Sequence, residues 1–375
     1  MTDFAAEAKH IHASLPVVDG HNDLPWAIRV RAGGSLDVAD PRRHLAGYHT
    51  DTARLLEGGV GGQFWSVYVP SWRPDPFDEV MAQVSLVQAM VAADPRRLTP
   101  ATTAADVMRA REERKVASLI GAEGGHAIEG SLDKLEALAA AGVRYMTLTH
   151  GSTIEWADSA TDIESNGGLT GFGREVVREM NRLGMLVDIS HVSAATMRHA
   201  IDASVVPVIA SHSGARAVTD HPRNVPDDVL RAVGETGGVV MAVFCPAFVV
   251  ASTARSALDM FEAERALRAE FDPQDEAGFA AASAARATAM QLDPGTVGHV
   301  VDHLEHIAEV AGVASVGIGS DFDGIETTPT GLEDVSCFPA VTEELLRRGW
   351  PEQEIRMTLG DNVLRVLEQA ERTAA

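Results

Sequence analysis

The sequence predicts an α/β chain built as a (β/α)8 TIM barrel, with an inserted helical segment after the seventh strand and helices at the C-terminus. Three observations carry this. Eight short apolar runs follow one another along 375 residues, seven of the gaps between them hold helical pattern or room for it, and polar residues recur where the runs stop. A doubly wound sheet is the structural alternative. In an open sheet the strand tips would lie along a line, at about 4.8 Å per strand. In a closed barrel they ring one cavity, and the recurring polar stops favour that.

The elements follow in order. The first strand runs through residues 15–21 and stops at His21-Asn22-Asp23. Residues 29–48 are polar and glycine-rich and suit a loop at the mouth of a site; 51–57 could form a short helix, closed by Gly59, Gly61 and Gly62 before a second strand at 63–69. Residues 78–93 set Val80, Val84, Val87 and Val91 near helical spacing, an amphipathic helix. The third strand, 116–123, ends in Glu123. Ser131 is placed as the N-cap of a helix that stops at Gly142, and a fourth strand at 143–150 follows at once.

Residues 151–170, rich in Ser, Asp, Asn and Gly, read as a loop, and 173–183 as a helix stopped by Gly184. Next come a fifth strand at 185–191, a helix at 194–203, a sixth strand at 207–212, a helix at 226–236 and a seventh strand at 238–244. About 246–295 is an Ala-rich, charged helical insertion, with apolar periodicity and little Pro, Gly or Ser. A helix at 296–311 leads into the eighth strand, 313–321, and the tail at about 341–371 reads as two helices, broken near Gly349-Trp350-Pro351 and around Gly360.

The net charge of −23, from 31 basic and 54 acidic residues, is spread along the chain. Such a field repels phosphate backbones and anionic lipid, so neither nucleic acid nor a membrane surface is an expected partner. Acidity also serves solubility. Two cysteines, Cys245 and Cys337, make no disulfide framework. Residues 1–14 carry Asp3, Glu7 and Lys9 and lack the apolar core of a signal peptide, and no run reaches the roughly 18 apolar residues of a membrane span. A cytoplasmic, reduced protein is expected.

The chemistry gathers at the strand ends: His21, Asp23, Glu123, His150, His191, His212 and Asp321. His21 and Asp23, two apart on a strand, point to one face, and imidazole with carboxylate suits zinc. Gly20, Asn22 and Pro25 alone would equally make a surface turn. Four histidines and three carboxylates exceed what a single zinc takes, typically three protein ligands and an open position. Two ions about 3.5 to 4 Å apart, sharing a carboxylate, fit the count better. Residues 1–375 thus read as a single metal-dependent barrel domain.

Each residue has a plainer alternative. A strand-end histidine can be a hydrogen-bonded core residue. Glu123 can be a helix-start charge, and Asp321 a turn residue in competition with Asp323; Asp321 is preferred because it ends the apolar strand. His299, His303 and His306 share one face of a helix at metal-binding spacing, yet that helix precedes a strand and starts far from the strand tips, so they read as structural. His49 and His126 have no assigned role, and Trp26, Trp65 and Phe248 either line the pocket or fill the barrel mouth.

The segments VDGHNDLP (18–25), GAEG (121–124), TLTH (147–150), DISH (188–191), SHS (211–213), RNVPDD (223–228) and GSDFDG (319–324) resemble the membrane (renal) dipeptidase family, zinc metallopeptidases of the amidohydrolase-type barrels. The resemblance spans about residues 15–370 in order. It implies a binuclear zinc dipeptidase acting on dipeptides with a free C-terminal carboxylate, L,D-dipeptides included. His21 and Asp23 would hold the first Zn2+, Glu123 would bridge both ions together with a hydroxide, and His191 and His212 would hold the second. Asp321 would accept and donate the proton, His150 would polarise the scissile carbonyl, and Arg223, with Arg216 nearby as a rival, would grip the terminal carboxylate. Mn2+ or Co2+ are implied substitutes, since N/O ligands discriminate poorly. A noncovalent homodimer is implied as well. Animal relatives are secreted, lipid-anchored and disulfide-linked, which does not carry over. The tyrosine some relatives place after the seventh strand has no counterpart in Phe244-Cys245-Pro246-Ala247-Phe248.

The roles have a physical basis. Paired divalent cations give hydroxide near neutral pH, a neighbouring carboxylate can carry a proton to the departing amine, and arginine offers a planar fork to a carboxylate. The competing enzyme class is a lactonase or phosphotriesterase. Those commonly bridge their metals through a modified strand-end lysine, and Lys9, Lys115 and Lys134 are not so placed. A non-catalytic metal-binding barrel would be expected to lack Asp321 or Arg223.

Overall fold

The structure is a computed structural model that describes residues 3–15, 17–268 and 293–374, with isolated positions between 270 and 285. Eight parallel strands close into a barrel: β1 (Val17–Asn22), β2 (Val60–Tyr68), β4 (Val116–Glu123), β5 (Val143–Thr147), β6 (Leu186–Asp188), β7 (Ile209–Ser213), β8 (Val239–Ala242) and β9 (Val316–Ile318). The short β3 (Leu98–Pro100), absent from the sequence expectation, pairs only with the outer edge of β4. Pairing of β2 with β4, from Gly62↔Ala117 to Tyr68↔Glu123, shuts the ring and rules out the doubly wound alternative.

The pleat sorts side chains between two layers. Inside the barrel, Val18, Phe64, Leu119, Tyr145, Leu186, Ile209, Val239 and Met241 form one buried cluster. Outside it, the strands pack on the helices through a larger cluster that includes Val17, Trp65, Val67 and Ile120. Trp65 is therefore core of the outer layer and does not line the mouth. Gly121 makes the inner packing possible, because a Cβ there would meet the Tyr145 ring at 2.0 Å.

The helices are α1 (Phe4–Ser14), α2 (Leu24–Ala32), α3 (Thr52–Glu57), α4 (Pro76–Ala93), α5 (Ala104–Glu112), α6 (Leu132–Ala140), α7 (Gly171–Arg182), α8 (Ala194–Ala203) and α9 (Asp227–Thr236), then α10 (Pro246–Val249), α11 (Ala251–Arg268), α12 (Val297–Ala311), α13 (Phe338–Arg347), α14 (Glu352–Arg356) and α15 (Asn362–Thr373). Five further places differ from the sequence expectation. α1 forms on an Asp3 cap and buries Ile11 and His12 against α13, where His12 Nε2 meets Thr342 Oγ1 at 2.8 Å. α2 takes the first residues of the presumed mouth loop, with Pro25 in its first turn and Gly33 in a left-handed C-cap. α5 is started by a Thr103/Asp106 capping box. The eighth barrel strand is only β9, since Val313–Ser315 is a 3₁₀ turn. Gly360 does not break the tail; a π-helical turn, Met357–Asp361, carries the chain through it into α15.

Of the expected insertion, α10 and α11 are helical, and most of 269–292 lies outside the described residues. Among the described residues, no helix is long and apolar enough to cross a membrane.

Candidate metal centre

All seven strand-end candidates meet at the C-terminal mouth. Glu123, the last residue of β4, is the hub: its Oε1 lies 3.1 Å from His191 Nε2, 3.4 Å from His212 Nε2, 3.6 Å from His21 Nε2 and 3.8 Å from His150 Nε2. Its other oxygen accepts a hydrogen bond from Ser66 Oγ on β2 at 3.2 Å. His191 Nε2 and His212 Nε2 face each other at 2.8 Å. Asp23 Oδ2 is 3.2 Å from His21 Nε2, and ligand atoms of His21, Asp23 and Asp321 all lie within 4.8 Å of one another.

The route to this geometry differs from simple strand alternation. His21 is in β1, but Asp23 is one residue past it, at the N-cap of α2, and reaches the site because Asn22 bridges Phe322 and Asp23 N donates to Phe322 O at 2.9 Å. His150, His191 and Asp321 likewise lie beyond the last residues of β5, β6 and β9. His191, Asp321 and Asp323 adopt positive φ of 66°, 68° and 65°. Such backbone costs of order 1 kcal/mol or more per residue and gathers where a site needs it. Gly324 must stay glycine for the same cluster, since a Cβ would meet Asp23 Oδ2 at 2.2 Å.

The donor set fits a metal. His21 Nδ1 is 2.8 Å from the Tyr145 hydroxyl, whose own proton goes to Gly20 O, so the imidazole proton sits on Nδ1 and Nε2 offers a lone pair. That Nε2 and Asp23 Oδ1 are buried with no hydrogen-bond partner. Ring nitrogens and carboxylates without protons between them are ligands for Zn2+, Mn2+ or Co2+. The electrostatics agree. Burial, with Asp23 and Glu123 alongside, pushes the Asp321 carboxyl well above the usual range. Burial works the same way on Glu123 but is outweighed by the imidazoles of His21 and His150, which when protonated hold its carboxyl well below. A cation between these groups would relieve the carboxylate repulsion.

Arg223 sits on the loop after β7, fully buried, its guanidinium 5.0 Å from the Phe248 ring. It donates to His212 O at 3.2 Å and Ser213 Oγ at 3.4 Å, Nε has no partner, and it makes no ion pair among the described residues. Arg216, its rival, is half-buried and paired with Asp220 at 3.0 Å. The loop is pinned by Asn224, which accepts from Gly214 N and donates to Thr219 O and Phe248 O, and by His303 Nδ1, which accepts from Ala215 N at 2.8 Å.

The other histidines singled out from the sequence have structural places. His303 is that buried support, His306 pairs with Asp227, and His299 caps α12 with Thr296. His126 Nε2 meets Val69 O at 2.8 Å, and His49 and Asp323 bond each other's backbone amides. Trp26 packs edge-on to Tyr68, which lies 4.5 Å from His150. Ser66, Tyr68, Tyr145, Asp188, Ser190 and Ser211 escaped the sequence analysis. For Ser66 and Tyr68 a signal existed: they continue the period of two from Phe64, the inward-facing residue of β2.

A closed (β/α)8 barrel that gathers four imidazoles and three carboxylates at its C-terminal mouth, beside a buried unpaired arginine, is the frame of a metal-dependent hydrolase. The family model for membrane dipeptidase, peptidase family M19, matches residues 5–375, and the chain belongs to that family, a metal-dependent dipeptidase. Among solved structures it is similar to the dipeptidase AC, a metallo peptidase of family M19, at 27% identity and TM-score 0.76, over 95% of this chain and 98% of that one. It is similar also to a metallo peptidase from Rhodobacter sphaeroides liganded with a phosphinate mimic of the dipeptide L-Ala-D-Ala, at 26% identity and TM-score 0.75, over 95% and 99% of the two chains. The probable dipeptidase PvdM from Pseudomonas aeruginosa shares the fold at TM-score 0.83, with 24% identity over 99% of each chain.

Proposed function

We propose that this chain hydrolyses dipeptides bearing a free C-terminal carboxylate, L,D-dipeptides included, with two divalent ions, zinc foremost, at the barrel mouth. The observation that carries this is the position of Glu123 Oε1, within 3.1 to 3.8 Å of four imidazole nitrogens, a hub suited to being shared between two ions. His21 and Asp23 would hold one ion, His191 and His212 the other, and Glu123 both. Bound there, the ions would supply hydroxide near neutral pH and Lewis-acid polarisation of the scissile carbonyl.

The chain's own groups do the rest. Asp321, beside Asp23 and His21, takes the proton of the attacking water and returns it to the departing amine. His150, half-buried and open to the mouth, donates to the scissile carbonyl oxygen as it gains charge. Arg223 holds the substrate's terminal carboxylate; a buried guanidinium without an ion-pair partner gains most from such a ligand. A carboxylate clamp does not read the hand of the adjacent carbon, and the L-Ala-D-Ala mimic in the Rhodobacter relative agrees with D-residues there.

The test is hydrolysis of an L,L and L,D dipeptide panel, each with its C-terminally amidated counterpart, by protein of measured metal content. Two ions per chain with cleavage confined to free carboxylates is the expected result. Equal cleavage of the amides would remove Arg223 from its role, and one ion per chain would remove the shared-carboxylate arrangement.

A further inference from the structure

Asp188 is a carboxylate at the tip of β6 that the reaction above does not use, fully buried and without an ion pair among the described residues. Its oxygens take four donors: Ser190 N at 3.0 Å and Ser211 N at 2.9 Å on Oδ1, Thr147 Oγ1 and Ser211 Oγ, both at 2.6 Å, on Oδ2. It thereby ties β5, β6 and β7 together directly beneath His191 and His212. A purely structural brace would end there.

Ser211 extends it. Its hydroxyl has one proton, and the short bond to Asp188 uses it. The same oxygen lies 2.8 Å from His212 Nδ1, so it must accept there, and the imidazole proton belongs on Nδ1. His212 Nε2, 3.4 Å from Glu123 Oε1, is then left with its lone pair toward the centre. The arrangement is a carboxylate acting on a ring nitrogen through an intervening hydroxyl. On the opposite side of the centre, His21 is oriented by the neutral Tyr145 hydroxyl instead.

We propose that Asp188 and Ser211 are positioning residues that hold His212 in its Nδ1–H form and raise its basicity toward a metal ion. The inference rests on the assignment of His212 as a ligand. Outer partners of this kind commonly change metal affinity by about 10 to 100-fold.

The test is titration of metal-free protein with Zn2+, following binding calorimetrically, for the native chain, Ser211→Ala and Thr147→Val. Thr147→Val removes a hydrogen bond of the same length to the same Asp188 oxygen but leaves the link to His212 intact. Ser211→Ala is expected to weaken one binding step by about 10 to 100-fold, and Thr147→Val to leave every step within about twofold. Equal weakening by both would mark a brace only and overturn the proposal, as would native affinity in Ser211→Ala. The native stoichiometry separates the two readings. One ion per native chain defeats the two-ion assignment while Ser211→Ala still judges the relay on the step that remains, and no binding at all overturns both. A second measurement needs no folded variant of Ser211: nitrogen NMR of the metal-free native chain, with the His212 signals identified by their loss in His212→Gln, should find the proton on Nδ1. A proton on Nε2 would overturn the proposal.

Discussion

The two mouths of the barrel are finished by opposite chemistry. At the N-terminal mouth, Val363, Val366, Leu367 and Ala370 of α15 pack against Val18, Leu186, Ile209 and Val239, all buried. Asn362 Nδ2 there donates to Val313 O and Val316 O at 2.8 and 2.9 Å and Arg365 reaches Gly237 O, while Gln369 Oε1 of the same helix is buried without a partner. At the C-terminal mouth, His21 Nε2, Asp23 Oδ1 and Arg223 Nε are buried without partners, and His191 and Asp321 sit in left-handed backbone. One end is closed by apolar packing and supplies stability. The other leaves buried polar groups unpartnered and strains its backbone, and on the function proposed above their partners are metal ions and substrate.

If this division holds, substitutions at the two mouths should separate activity from stability. The largest effect is expected for Asp321→Asn, which should lose about 10² to 10⁴-fold in turnover while metal analysis finds the ions retained; unchanged turnover would remove Asp321 as the proton carrier. At the other mouth, Leu367→Ala should cost about 2 to 5 kcal/mol in denaturant unfolding and leave kcat/KM per folded molecule unaltered. Loss of catalysis in that variant at full folding would break the comparison.

Stripping the ions with a chelator should lower the melting temperature, because a ligand held at a hundredfold over its Kd adds about 2.7 kcal/mol to the folded state. Leu367→Ala should show the same chelator-induced difference as the native chain, since it touches no ligand. Arg223→Lys should raise KM for free dipeptides about tenfold or more through loss of the planar fork, with amidated substrates unaffected.

The smallest effect concerns the scaffold away from both mouths. Burial between α1 and α13 lowers His12 to about 4, despite a hydrogen bond with Gly58 O. A histidine depressed in the folded state binds its proton first in the unfolded chain, so its stabilising contribution is complete above about pH 6.5 and is lost as pH falls toward 4. Near pH 5 this one group should add a slope of about 1 kcal/mol per pH unit to unfolding of the metal-free protein. His12→Gln should flatten that slope, and an unchanged slope would assign the acid sensitivity to the site instead.

The residues themselves show what was legible. His21, Glu123, His212 and the residues just past other strands stood out because an apolar run that stops at a polar residue is a local pattern, and eight such stops predict a shared mouth if the barrel closes. α8, at Ala194–Ala203, was equally legible, and the structure adds Ser193 as its cap. α1 was not, because its stability comes from docking Ile11 and His12 onto α13, hundreds of residues away in the chain.

The sequence by itself determined the barrel and the identity of the groups at its mouth, through periodicity and strand-end chemistry that each segment carries alone. Tertiary structure alone decided which of them are partners. Tyr145 orients His21 across 124 positions, Ser211 joins Asp188 to His212, and Asp23 reaches the cluster by a turn rather than by strand alternation. The physical reason is register: the pairing of β2 with β4 and of each strand with its neighbour sets which side chains face one another inside the ring, and that pairing is a property of the closed barrel, not of any segment.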